Sequence, residues 1–246
     1  MIKLQFANQP TKLTASVVLK LTQKYLSNTS EAVWKKKYIV TPLLKMSFGK
    51  CCFCETNVNE ESKYMEVEHF HPKALYPNEV VSWNNLLPIC KRCNGKKLNH
   101  DTKNTPIIHP AIDNPKEHLE LRGYRFYGLT DLGKQTVGVV NLNDKVRLVD
   151  VRFKIGDKIM GQLTLLLKQT NQFVISGSVE DRNDIVEFLR NLMLEGVKES
   201  PFSATVATVL LTNPDYLEIK RLFITHNLWN NEFQALEKEV EYCALI

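Results

Sequence analysis

The stretch PICKRCNGKK, residues 88–97, sets Cys90 and Cys93 two residues apart and continues into a polar run that reads as the start of a short helix. A C-x-x-C pair is a knuckle that offers two thiolates to one metal, and KCCFCE supplies a second pair, Cys51 and Cys54. Two such knuckles complete the ligand set of a tetrahedral structural zinc, with buried or redox cysteines as the alternative. Residues 55–89 separate the pairs, more than the roughly 15–20 residues of a simple zinc ribbon. A substantial insertion is therefore expected, its two ends stapled by zinc. Cys52, inside the first knuckle, is expected to be a bystander.

The insertion contains VEHFHPK, residues 67–73. Read as a strand, YMEVEHF turns Glu66 and Glu68 to one side and Val67 and His69 to the other. A strand end or a bulge beside Pro72 is expected to bring Glu68 and His69 to one site. The chain then returns through WNNLLPIC to the second knuckle.

Around this module the composition is that of a folded globular protein: 246 residues, 43% hydrophobic and 24% charged. The first residues lack the apolar run of a signal peptide, and no segment reaches the roughly 18 consecutive apolar residues of a membrane span, so a cytoplasmic location without membrane contact is expected. A net charge of +5 permits a polyanionic partner. Lys91, Arg92, Lys96, Lys97 and Lys103 crowd one short segment, where contact with phosphate would give salt-dependent binding. The ending CALI imitates a prenylation box, but Cys243 is expected to be an ordinary, partly buried residue.

The expected architecture is α+β, a mainly helical chain carrying the cysteine-bound module and a small β element. Residues 1–46 read as an N-terminal helical segment, with Leu13, Val17, Leu21 and Tyr25 at helical spacing, and residues 47–110 as the chemical module. Residues 111–155 are expected to form the β element from LRGYRFYG and TVGVVNLN. Residues 156–246 read as a helical region expected to dock a partner, in which Gly196 ends one helix and Asn213-Pro214 starts another. GLTDLGKQ, residues 128–135, nearly spells a P-loop. Gln135 replaces the required hydroxyl and a strand is expected where the motif needs a helix, so it reads as a chance match.

EHFHP, NNL and C-x-x-C-N-x-x-K, in this order, resemble the HNH nuclease family. The resemblance implies a ββα-metal finger held by four cysteines. It implies His69 as general base, Glu68 and Asn94 as ligands of a catalytic magnesium or manganese ion, and Asn85 as the central asparagine holding the loop and the base. The family usually has aspartate at Glu68 and often histidine at Asn94. His71, Lys73, Lys91, Arg92, Lys96 and Lys97 are the candidates for nucleic-acid contact. A histidine suits removal of a proton from water near neutral pH, and a hard cation on oxygen ligands suits a developing phosphate charge. Zinc would build the site and magnesium would run it.

Over residues 1 to about 155 the order of motifs is similar to the HNH subunit of Septu-type antiphage defence, including retron-linked forms. That implies an effector nuclease that cuts DNA or structured RNA such as tRNA and works with an ATPase subunit, in some systems beside a retron reverse transcriptase and its nucleic acid. The alternative is a non-catalytic zinc module that binds nucleic acid or protein.

Overall fold

A computed structural model describes residues 1–60 and 63–246. Apart from the first two residues, the chain divides into two compact units: residues 3–119 with 127–143, and residues 120–126 with 144–246. The architecture is mainly helical with two small antiparallel sheets.

The first unit opens with α1, Ala15–Ser27, whose start is set by Thr14: its hydroxyl accepts from Val17 N–H. Leu21 and Tyr25 form its buried side, and Leu13 is buried just before it. α2, Lys37–Met46, buries Ile39, Leu43 and Met46 and has no side-chain cap at its N-terminus. A three-stranded sheet follows, β1 (Asn59–Glu60), β2 (Lys63–His69) and β3 (Leu86–Cys90), in that spatial order and antiparallel. The register of β2 on β3 is unbroken from Met65↔Cys90 to His69↔Leu86, so the strand end, not a bulge, shapes the site. β3 is an edge strand and can hold a proline. The carbonyl of Pro88 accepts from Cys52 N–H at 2.9 Å, docking the first knuckle onto the strand. α3, Lys91–Lys97, continues directly from β3.

The β element is smaller than expected. β4 (Leu119–Arg122) and β5 (Arg125–Gly128) pair as expected from LRGYRFYG, but TVGVVNLN does not form a strand. Asp131–Val139 is a helix, α4. Thr130 caps it by accepting from Gly133 N–H at 3.2 Å, and Asp131 lies in the first turn, where its charge suits the helix dipole. Thr136 donates to Leu132 O at 2.7 Å and accepts from Ile108 N–H at 2.8 Å. β-Branched residues cost a helix only ~0.5 kcal/mol each relative to alanine, so a cap and one tertiary hydrogen bond of ~1 kcal/mol each outweigh them.

The same helix explains the near-P-loop. A Cβ on Gly133 would lie 1.9 Å from His118 O, and one on Gly128 2.1 Å from Lys134 N. Both glycines permit close backbone packing. The amides of Gly133 and Lys134 are already bonded to Thr130, leaving neither to cradle a phosphate.

The second unit is built from α5 (Asp150–Ser176), α6 (Val179–Leu194), α7 (Ser203–Thr212), α8 (Pro214–Thr225) and α9 (Asn231–Cys243). α7 is buried along almost its whole length, and α5 packs against α6, α7 and α8. Asn213 caps α8 through Asp215 N–H and Tyr216 N–H, as expected. Cys243 is fully buried rather than partly so, because it closes the apolar face of α9. Among the described residues no helix is long and apolar enough to cross a membrane.

Candidate functional site

The sulfurs of Cys51, Cys54, Cys90 and Cys93 lie within 4.8 Å of one another, and those of Cys54 and Cys90 are 3.7 Å apart. Tetrahedral ligands at the ~2.3 Å of a zinc–sulfur bond stand about 3.8 Å apart, so the cluster has the size of a zinc site. Cys90 is the hinge of this arrangement: it ends β3, caps α3 by accepting from Cys93 N–H, and supplies one of the four sulfurs. Cys52 is buried beside the cluster but outside it.

The cluster's electrostatics call for a cation. Hydrogen bonds from Cys51, Cys90 and Cys93 hold the Cys54 thiol well below its ordinary range. Burial pushes Cys51 well above it, and hydrogen bonding with Cys51 and Cys54 raises Cys93. Buried thiols this close disfavour one another's ionisation, and a bound dication would supply the counter-charge that four thiolates need. Arg92 Nη2 donates to Cys93 Sγ at 3.0 Å and offsets part of the remaining negative charge.

Beside the cluster, β2, α3 and the segment before α2 enclose a cavity of about 220 Å³ lined by Trp34, Glu66, Glu68, His69, Lys73 and Asn94, among others. Glu68 and His69 alternate along β2 yet both reach it, because the strand stops at His69 and the chain turns away through Phe70. His69 Nε2 lies 2.9 Å from Val80 O. A carbonyl can only accept, so Nε2 carries the proton and Nδ1 keeps the lone pair. Nothing among the described residues bonds Nδ1. The edge-on ring of Trp34, 4.6 Å between centroids, fixes the imidazole plane. Burial depresses His69 to about 4, so the ring is neutral at physiological pH.

Glu68 is 3% exposed, and its Oε1 lies 2.5 Å from Lys97 Nζ. Burial raises its carboxyl and the Lys97 charge counters that rise. Asn94 Nδ2 donates to Glu66 Oε2 at 2.6 Å, so the amide oxygen is the end left for another partner. Two carboxylates and an amide in one cavity are hard oxygen donors that fit magnesium or manganese. Asn85 stands behind the strand end: its Oδ1 accepts from His71 N–H at 2.6 Å, while Nδ2 donates to His71 O and Glu79 O. It clamps both sides of the β2–β3 connection.

Several candidates for nucleic-acid contact point elsewhere. Lys97 is 2% exposed and is turned inward to Glu68 and to His69 O, so it is not a surface phosphate contact. Arg92 commits its guanidinium to Cys93 Sγ and to the carbonyls of Val140 and Asn141. His71 bonds Thr102 Oγ1 and faces a different cavity with His109. Lys103 pairs with Glu79. Lys73 lies on the rim beside Glu68, and Lys91 and Lys96 are exposed on α3. Glu66, Trp34 and Lys35 were not singled out from sequence. Glu66 shares the strand face of Glu68, a signal that could have found it; no local motif marks the other two.

The fold and site define a protein with a four-cysteine cluster that fits a structural zinc, in which two antiparallel strands and a helix line a carboxylate–imidazole cavity, and which continues into a helical second unit. No family model matches the chain, and neither does any solved structure. It is 44% identical over 250 residues to the Septu protein PtuB of Bacillus thuringiensis, covering 100% of this chain and 96% of that one. To the Septu protein PtuB of Bacillus mycoides (strain KBAB4) it is 30% identical over 159 residues, 51% of this chain and 53% of that one. The chain belongs to the PtuB family of Septu proteins.

Proposed function

We propose that the chain is a metal-dependent HNH endonuclease that hydrolyses phosphodiester bonds, and that it is the effector subunit of a Septu antiphage system acting with an ATPase partner. The observation carrying this reading is the convergence of Glu68, His69 and Asn94 on one cavity, with the imidazole locked by Val80 and Trp34.

His69 Nδ1 takes the proton from the attacking water. The positive charge that then forms on the ring is met by the Val80 carbonyl at Nε2–H, which holds the ring in place through the transfer. Glu68 and the Asn94 oxygen would hold magnesium or manganese, which when bound supplies charge compensation at the scissile phosphate and the departing oxygen. The Lys97 charge opposes the upward push of burial on the Glu68 carboxyl and orients it, and Glu66 fixes the Asn94 amide. Cys51, Cys54, Cys90 and Cys93 would hold a zinc ion, which when bound would fasten β3 and α3 to the first knuckle. The second unit, residues 144–246 with 120–126, is proposed to dock the partner; a chain ended after residue 155 that still forms a stable complex with the ATPase would remove that role.

The test is cleavage of labelled duplex DNA, single-stranded DNA and tRNA, with and without the ATPase subunit, in magnesium or manganese, beside His69→Ala. Loss of a general base should slow cutting about 10²–10⁴-fold. A variant that cuts like the parent overturns the mechanism. Equal silence of both with zinc bound and the ATPase activated favours a non-catalytic zinc module.

A further inference from the structure

Between α1 and α2 the chain reads Trp34-Lys35-Lys36-Lys37. Trp34 and Lys35 line the cavity of Glu68 and His69, although at least thirty positions separate them from those residues in sequence. Lys35, Lys36 and Lys37 are exposed, and among the described residues none of them is ion-paired. Lys73 Nζ sits over the Trp34 ring at 5.4 Å, and its charge acts on both Glu68 and His69.

These ammonium groups break a local rule. Lys36 and Lys37 stand at the positive end of α2, which has neither a side-chain cap nor an acidic residue in its first turn. Three adjacent cations at a helix N-terminus repel both the dipole and each other, and a conflict of this kind next to a site marks function rather than stability. An anionic partner resolves it. Of the basic residues of α3, Arg92 and Lys97 are committed to Cys93 and Glu68, and the exposed Lys91 and Lys96 do not line the cavity.

We propose that Lys35, Lys36, Lys37 and Lys73 form the track along which the phosphate backbone of a nucleic-acid strand reaches the cavity of Glu68 and His69. The choice of partner rests on the nuclease reading. Each lysine neutralises a phosphate, so binding releases counterions and weakens with salt at about 0.9 in log–log slope per contact on duplex DNA, or 0.7 on single strands.

The experiment measures anisotropy of labelled duplex DNA, single-stranded DNA and tRNA against salt, on the zinc-loaded full chain without added magnesium or manganese. The parent is compared with K35E/K36E/K37E and with K145E/K154E/K168E, a control that changes the total charge equally at exposed positions of the second unit. Zinc content and helical signal confirm that both variants fold. The track variant should bind at least ~10-fold more weakly near 0.1 M salt, with a slope lower by about 2–3, while the control changes little. The three nucleic acids separate a DNA from an RNA source of the phosphates. The proposal is overturned if the parent binds none of them, if the track variant binds like the parent, or if the two variants weaken binding equally. Cutting by the parent with binding indifferent to the three lysines would keep the nuclease and sink the track; binding through them without cutting would do the reverse.

Discussion

At the scale of single residues, the chemistry rests on polar groups buried in matched sets. Asn85 satisfies one backbone donor and two backbone acceptors. Asn85→Ala strands all three and should cost the first unit roughly 2–4 kcal/mol, read by urea denaturation of the zinc-loaded protein. Asn85→Asp keeps only the acceptor and adds a buried charge, so it should cost more. Lys97→Met leaves Glu68 buried without its counter-ion and should cost about 3–5 kcal/mol. If the ion pair is the cause, Glu68→Gln should restore much of that loss in the double variant. Glu68, His69, Asn85 and Asn94 could be singled out only through the resemblance of EHFHP, NNL and C-x-x-C-N-x-x-K to the HNH family; the fold brings Glu68, His69 and Asn94 to one cavity and sets Asn85 behind the strand end. The inward turn of Lys97 and Arg92 was not legible, since a lysine-rich segment says nothing about which side of a helix each side chain leaves from. Trp34 escaped for another reason: it reaches His69 from a distant segment, a contact made only by folding.

Among elements, those with explicit end chemistry were the readable ones. Asn213-Pro214 announces α8 because one residue caps and the other cannot continue a preceding helix. α4 was misread because its β-branched residues suggest a strand, whereas its cap and the bond from Ile108 lie outside that propensity. Its fit against residue 118 gives a sharp expectation. Gly133→Ala sets a methyl against the His118 carbonyl, where no flexible side chain can give way, and should destabilise the first unit by about 1–3 kcal/mol or more. Thermal melting would show it, and an unchanged midpoint would mean that α4 shifts freely. The knuckles carry a pH dependence of definite sign. Protons and zinc compete for the same sulfurs, so the zinc-linked stability is present at neutral pH and lost as pH falls. Zinc release followed by a chromogenic chelator should therefore track the loss of structure on acidification.

For the whole molecule, each unit has its own core. Ile39, Leu43, Leu86 and Ile89 belong to the first; Leu163, Leu189, Phe223 and Phe233 belong to the second. The four-cysteine cluster lies wholly in the first. Strong chelation should then abolish one calorimetric transition and spare another, with much of the helical signal retained. A single transition lost as a whole would show that the second unit does not stand without the first. The division itself was hard to read from sequence because residues 120–126 cluster with the later helices while 127–143 return to the first unit, an interleaving that no linker composition announces.

The knuckles also set the entropy of the site. Glu66, Glu68, His69 and Asn85 all lie between Cys54 and Cys90, inside one loop that a metal on the cysteines would close. Treated as a cross-link between those two residues, a bound zinc would remove on the order of 3–4 kcal/mol of chain entropy from the unfolded state. The strand carrying His69 and the carboxylates would thus be gathered by a tether at its ends, and the order of the cavity would follow the supply of one ion.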